Sequence, residues 1–158
     1  MNSATISLVD ARTLDAVVGL FEAQLREHEI TSSREDLRLV AETVMRDRRY
    51  GFMLVASASD GTPIGVAYAG SLLSLEHGGV SGWIEELYVS PQWDGQGIGS
   101  RLIEEVVSLA KEAGWRALDL EVDATHQRVK ALYARHQFRS LPRSRFYRAL
   151  ELQAWRFR

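Results

Sequence analysis

The spacing of apolar residues changes several times along the chain, and each change marks an element. Ala4 to Val9 alternates apolar and polar positions, as a half-buried strand does. From Asp10 the period lengthens. Leu14, Val17, Val18, Phe21 and Leu25 recur at three- and four-residue steps and predict a helix, with Asp10 or Thr13 as its cap. Ser33-Arg34-Glu35-Asp36 opens a second helix that carries Leu37, Val40, Ala41 and Val44 on one side. Ser33 followed by Asp36 has the spacing of a capping box, with Asp in the Glu position.

Two strands follow, at about 52–58 and 64–73, joined by Ser59-Asp60-Gly61-Thr62-Pro63, whose Asp-Gly pair favours a hairpin. Glu76-His77-Gly78-Gly79 turns the chain into a fourth strand at about 80–89. A loop over 90–97 leads to a helix at about 98–113, apolar at Leu102, Ile103, Val106, Val107 and Ala110 and stopped by Gly114. A fifth strand at 117–122, a short helix at 127–137 and a last alternating strand at 145–152 complete the pattern. The predicted order is β-α-α-β-β-β-α-β-α-β, an α/β arrangement with a hairpin meander at its centre. With no repeat, linker or low-complexity segment, residues 1–158 are expected to form a single domain.

Composition narrows the function. A chain of 158 residues with 46% hydrophobic and 25% charged residues is that of a globular protein. No run approaches the length of a membrane span, and the first fifteen residues lack the basic and apolar regions of a secretory signal. The absence of cysteine removes disulfides, a thiolate nucleophile and cysteine-ligated metal. A cytoplasmic location is therefore expected. The net charge of −2 argues against nucleic acid as partner. Charge is uneven, however. Six arginines (139, 143, 145, 148, 156, 158) stand against Glu151 after residue 138, either as a solvated face or as an attraction for an anion.

The densest chemical signal is Ser90-Pro91-Gln92-Trp93-Asp94-Gly95-Gln96-Gly97-Ile98-Gly99-Ser100, between a strand and a helix. Alternate glycines let a ligand approach the backbone closely, and the N–H groups and dipole of the following helix favour an anion there. A P-loop would need Lys and Ser or Thr after its second glycine, and they are missing. A Rossmann fingerprint would need glycine or alanine at Ser100. Although Asp119 and Glu121 stand where a ribose-binding acid belongs, four strands precede the loop and five residues separate Val89 from Gly95. A nicotinamide oxidoreductase is thus the weaker alternative.

Glu85-Glu86-Leu87-Tyr88-Val89-Ser90-Pro91 followed by Asp94-Gly95-Gln96-Gly97-Ile98-Gly99 resembles the signature of the GNAT acetyltransferases, a strand ending in LYV-x-P and then Q/R-x-x-G-x-G/A. Ala131-Leu132-Tyr133 and Phe138 resemble the later N-x-x-A-x-x-L/F-Y-x-x-x-G-F segment, and Phe146-Tyr147 through Leu152 its closing strand. The chain departs from the pattern at Asp94 (usually Arg or Gln), His126 (usually Asn) and Gln137 (usually Gly).

The resemblance implies a GNAT-like fold with a mixed, mostly antiparallel sheet flanked by helices, and acetyl-CoA as co-substrate without a metal. The amides of Gln96, Gly97, Ile98, Gly99 and Ser100 would hold the pyrophosphate beside Asp94 and Gly95. Leu87, Tyr88 and Val89 would line the pantetheine arm, and His126 would take the place of a cofactor-binding Asn. Arg101, Arg128 and Lys130 are candidate phosphate partners. An ammonium must lose a proton before it attacks a thioester, and a strand carboxylate is the natural base. Neighbours on a strand face opposite sides, so one of the pair can face the cleft, and the match to family members with an acidic pair here makes Glu85 the first choice and Glu86 the reserve. Tyr133 matches the tyrosine that protonates the departing thiolate, and the N–H of Leu87 or Tyr88 would serve the oxyanion.

These features together point to direct acetyl transfer onto a primary amine of a small molecule or peptide. The alternative is a sensor of the same fold that binds acyl-CoA without turnover. The acceptor pocket is expected between about 21–50 and 72–83, where Glu22, Glu27, Glu29, Glu35, Asp36 and Glu76 would draw a cation and Tyr50 and Trp83 would wall it. Trp155 and Phe157 fold back onto the core or meet a second subunit, and the family resemblance implies a homodimer.

Overall fold

A computed structural model of the chain describes residues 3–28 and 32–150. The elements are β1 (Thr5–Leu8), α1 (Leu14–Glu27), α2 (Arg34–Arg46), β2 (Gly51–Ser57), β3 (Pro63–Ser74), β4 (Gly79–Val89), α3 (Ile98–Glu112), β5 (Leu118–Leu120) and α4 (Gln127–Arg135). Single 3₁₀ turns at Arg48–Tyr50 and Pro91–Trp93 are too short to leave a period in the sequence. The strands form one sheet in the order β1-β2-β3-β4-β5. Its first four members pair antiparallel, and β5 lies parallel to β4.

Side-chain alternation divides the core between the two faces of the sheet. Met53, Val55 and Val66 meet α1 and α2 through Val17, Val18, Phe21, Ala41 and Val44. Phe52, Leu54, Ala67, Ala69 and Ile84 meet α3 through Ile98, Leu102 and Val106. Covered on both sides, β2 reads as an unbroken apolar run, Phe52-Met53-Leu54-Val55-Ala56. The hairpin at Asp60-Gly61 forms as expected, with Gly61 N–H donating to Ala58 O at 2.9 Å.

The helix starts follow the capping residues. Asp10 Oδ1 accepts from the N–H groups of Arg12 (2.9 Å) and Thr13 (3.2 Å) ahead of α1. Ser33 Oγ accepts from Asp36 N–H at 3.1 Å ahead of α2. Two helix ends share another design, the Schellman motif. After α3, Trp115 N–H reaches Ala110 O (2.9 Å) and Gly114 N–H reaches Lys111 O (3.0 Å), with Gly114 at φ +73°. This turn stacks Trp115 on Phe52, with centroids 5.0 Å apart. After α4, Phe138 N–H reaches Tyr133 O and Gln137 N–H reaches Ala134 O, both at 3.1 Å. Phe138 thereby meets Tyr133 edge-on at 5.5 Å.

The last strand expected at 145–152 is corrected. Residues 145–150 form no strand and are exposed, while 151–152 and the aromatic tail lie outside the described residues. The edge strand on this side of the sheet, β5, is three residues long and offers only a short ladder. Charge holds the segment instead: Arg143 pairs with Glu76 at 2.8 Å, and Arg145 pairs with Glu121. The fifth strand and last helix are also shorter than expected, ending at Leu120 and Arg135.

Gln137 is the non-glycine residue at positive φ (+67°) among those described. A side chain there is strained, whereas glycine would not be. Gln137→Gly should therefore stabilise the protein by about 1 kcal/mol, seen as a higher urea midpoint with an unchanged slope. An unchanged or lower midpoint would show that the turn carries no strain.

Candidate functional site

The site begins where two strands part. β4 pairs with β5 over Gly82, Trp83 and Ile84 and no further, although β4 continues to Val89. On its other side, Tyr68 of β3 faces Glu86 while the next residue, Ala69, faces Ile84. Glu85 is thus the extra residue of a β-bulge, which re-aims the strand beyond it. Gly82 N–H points to β5, donating to Ala117 O at 2.9 Å, whereas Ser90 N–H points to β3, donating to Ile64 O at 2.8 Å. Strict alternation would send both the same way, so the bulge has inverted the ladder. Leu87 and Val89 consequently turn their main-chain groups to the side that β5 has left. That edge can accept an extended ligand as an added strand. Two contacts hold the paired half together. The Trp115 ring lies where a Cβ on Gly82 would sit, 2.3 Å from it, and Leu118 crowds the same point at 2.7 Å.

Past the open edge the chain passes Pro91–Trp93 and enters the glycine loop. Gly95 and Gly97 adopt φ +74° and +80°, the left-handed region that glycine tolerates best. Gly97 is the N-cap of α3. Among the described residues no protein acceptor meets the N–H groups of Gln96, Gly97, Ile98, Gly99 or Ser100, while Arg101 N–H reaches Gly97 O at 3.2 Å. The amides lie at the positive end of a 15-residue helix, an arrangement suited to an anion. Asp94 does not oppose it. One carboxylate oxygen accepts from Gly95 N–H at 2.9 Å, and the other pairs with Arg128 at 3.0 Å.

That pair also spends Arg128, one of the cations expected near phosphate. Lys130 Nζ is similarly engaged, donating to Ala124 O at 2.9 Å. Arg101 is exposed on the first turns of α3. His126 is the N-cap residue of α4 but makes no side-chain cap, and its ring lies 6.5 Å from that of His28. His136 ties α4 to the start of α3 through Ser100 Oγ, 3.0 Å away.

Two titratable groups, Glu86 and Tyr88, lie on the face of β4 opposite α3. Glu86 shares the side of its register partner Tyr68, which packs against the α1–α2 layer, as does Tyr88. Burial, and secondarily the Glu85 charge, pushes the Glu86 carboxyl up to about 7. Glu85 is more exposed. The protein around it raises its carboxyl too, and Arg145 opposes the rise. Tyr133 is 8% exposed, and burial with the nearby Glu86 charge pushes its phenol up to about 12. The structure therefore brings Glu85, Glu86 and Tyr133 into one electrostatic neighbourhood. Tyr88 Oη turns toward Glu27, donating at 3.5 Å. No group of three or more His, Asp or Glu side chains suited to a metal ion occurs among the described residues.

Sequence reasoning missed Arg145 as a site residue. Its guanidinium carbon lies 5.3 Å from the Trp83 ring centroid, and Trp83, Glu85 and Arg145 line one open recess. The arginine-rich stretch after residue 138 was the available signal, but only tertiary contacts select one arginine from it. The bulge left no signal at all.

The Glu86 shift carries a stability consequence. Its folded pKa of about 7 lies above the ordinary 4.5, so stability is fully present below pH 4.5 and is lost as pH rises through 7. Glu86→Gln should match wild type at pH 4 and be more stable at pH 8 by about 1–2 kcal/mol, allowing for partial exposure. Urea denaturation at the two pH values measures this. Equal stability at both would mean Glu86 is well solvated.

Comparison with known proteins completes the description. The sequence model of the Acetyltransferase (GNAT) family matches residues 17–138. An aminoglycoside N(6')-acetyltransferase type 1 from Stenotrophomonas maltophilia is 32% identical over 91 residues, covering 49% of this chain and 57% of that protein. A thialysine N-epsilon-acetyltransferase from Bos taurus is 39% identical over 51 residues, covering 32% of this chain and 30% of its own. The chain thus spans between about a third and three-fifths of these curated relatives. The solved structure of aminoglycoside N-acetyltransferase AAC(6')-Iy in complex with CoA superposes with a TM-score of 0.80 at 19% identity, covering 94% of this chain and 96% of that one. The open β4 edge, the glycine loop and a match over residues 17–138 lead to one conclusion: the chain belongs to the GNAT acetyltransferase family.

Proposed function

We propose that the protein is an acetyl-CoA-dependent N-acetyltransferase that moves the acetyl group directly to a primary amine. The observation that carries this reading is the row of five amides, Gln96 to Ser100, without an acceptor among the described residues, set beside the edge of Leu87 and Val89 that β5 leaves. The amides suit the pyrophosphate, and the strand edge suits the amide-bearing pantetheine arm. With Asp94 neutralised by Arg128, the departure from the family pattern at that position does not oppose a diphosphate.

In this reading Glu86 rather than Glu85 is the base. A carboxylate near 7 accepts a proton from an ammonium at neutral pH better than an ordinary one. The deprotonated amine forms the new N–C bond at the thioester carbonyl, whose oxygen takes the outward N–H of Leu87. As the carbonyl re-forms, the C–S bond breaks, the nitrogen releases its surplus proton to water, and the Tyr133 hydroxyl supplies the proton that the sulfur needs. A phenol near 12 keeps that proton until it is wanted. The Glu86 carboxylic acid is the stronger acid of the pair and returns its proton to the tyrosinate. A sensor that binds acyl-CoA without turnover needs neither the Glu86 carboxyl nor the Tyr133 phenol. The same proposal includes a small cationic acceptor, as the names of the aminoglycoside and thialysine relatives suggest, and a cytoplasmic location, in keeping with a cysteine-free chain. It also includes a homodimer, which the 94% exposure of Phe146 and 85% exposure of Tyr147 support.

Thiol release from acetyl-CoA across a panel of amines tests the reading. Turnover with at least one amine is expected, and binding of NAD in place of acetyl-CoA would overturn it. Tyr133→Phe should lower kcat about a hundredfold with KM for acetyl-CoA nearly constant. Undiminished kcat would remove the tyrosine from the mechanism.

A further inference from the structure

We infer that Arg145 is an internal occupant of an acceptor subsite, standing where a second cationic group of the substrate binds. The inference rests on the transferase reading for the position of the reacting amine.

Trp83 and Glu85 lie on one strand, separated by Ile84, whose side chain goes to the α3 core. Trp83 faces the other way, beside Asp119 in register and within reach of the side chains beyond it on the β5 side. The recess they border holds one guanidinium. Arg145 covers the Trp83 ring at 5.3 Å and pairs with the Glu121 carboxylate, and its charge acts on Glu85. An aromatic face with flanking carboxylates is what an alkyl ammonium or guanidinium ligand needs. Arg145 fulfils that need from within the chain.

The neighbouring acids have other partners. Asp119 is bonded to His77 at 2.9 Å, and Glu76 pairs with Arg143 at 2.8 Å. Arg145 is therefore the group to be displaced. It is poorly held for a permanent tenant. It comes from a stretch without helix or strand, and its side chain remains 59% exposed. An exposed ion pair contributes little net stability, so a ligand cation can exchange with it at small cost. Glu86 lies three positions beyond Trp83, about 7–10 Å along a bulged strand. The acceptor is accordingly an amine with a second positive group at that distance: one end reacts near Glu86 while the other covers Trp83. Arg145 then sets specificity, since it competes with ligands that offer a cation and leaves weak or neutral ones unable to open the subsite.

Calorimetric titration with agmatine, a primary amine that also carries a guanidinium, tests this without turnover. Arg145→Gln should bind agmatine about fivefold more tightly than wild type, because the competitor is gone. Lost positive charge alone could strengthen a cation's binding. Arg143→Gln controls for it by removing the same charge from the Glu76 pair outside the recess, and should change affinity less than about twofold. Adding Trp83→Leu to Arg145→Gln should abolish the gain, with circular dichroism confirming the fold. Equal or weaker binding by Arg145→Gln, an equal gain in Arg143→Gln, or a gain that survives Trp83→Leu overturns the inference. Thiol release measured in parallel separates the two readings. Turnover on simple amines with no Arg145 effect leaves the transferase standing and removes the subsite. The Arg145 effect without release of thiol from any amine retains the cation site and removes the transferase.

Discussion

A strand cannot complete a sheet and also offer its edge to a ligand, and β4 meets this constraint by doing one after the other. Its first half is locked into the sheet by β5, with Trp115 packed so closely over Gly82 that no side chain fits between them. The bulge at Glu85 then reverses which residues point outward, so that β4 keeps its ladder to β3 while Leu87 and Val89 face the gap. Backbone polar groups left without partners are tolerated only where water or a ligand reaches them. The same reasoning applies a few residues later at the opening of α3, where five amides lack acceptors among the described residues. Both sets of unspent groups lie along one continuous stretch of chain, from 87 to 100.

The proposed acid–base pair is placed by a different device. Tyr133 is the third-last residue of α4, at the position whose carbonyl receives the closing bond of the Schellman turn. The turn that brings Phe138 against the Tyr133 ring therefore also fixes the tyrosine backbone. Burial then separates the protonation behaviour of the two groups. Glu86 is moved to about 7 and Tyr133 to about 12, so in the proposed mechanism one neighbourhood holds a group that takes a proton near neutral pH and a group that stays protonated until the thiolate departs.

Helices, hairpin and sheet composition were legible in the sequence because each rests on local chemistry: apolar period, Ser33 and Asp10 at helix starts, Asp60-Gly61 at a turn. The glycine loop was legible for the same reason. The remainder depends on contacts between distant residues. A bulge adds one residue to a strand without altering its composition, so the relation of Glu85 to Glu86 could not be read from their adjacency. The strand expected at 145–152 has the right alternation, but pattern alone does not supply a neighbour to pair with, and β5 is too short to be one. Asp94 alone would repel an anion, and the Arg128 that neutralises it stands 34 residues away in the chain, beyond the reach of any local pattern. Gln137 shows the reverse case. Sequence marked it as unusual, and its positive φ gives the physical reason: the Schellman turn that uses glycine after α3 uses glutamine after α4.

The way the segment after Phe138 is fastened has one more consequence. Arg143 and Arg145 join it to Glu76 and Glu121 through exposed ion pairs, and its described residues, 139–150, contribute neither helix nor strand that would hold it by backbone bonds or a buried apolar face. Dissolved electrolyte screens such pairs over distances of roughly 10 Å at 0.1 M, while buried packing hardly responds. Raising the ionic strength should therefore loosen this segment well before it disturbs the sheet, making the border of the Trp83 recess responsive to the surrounding medium while the glycine loop stays in place.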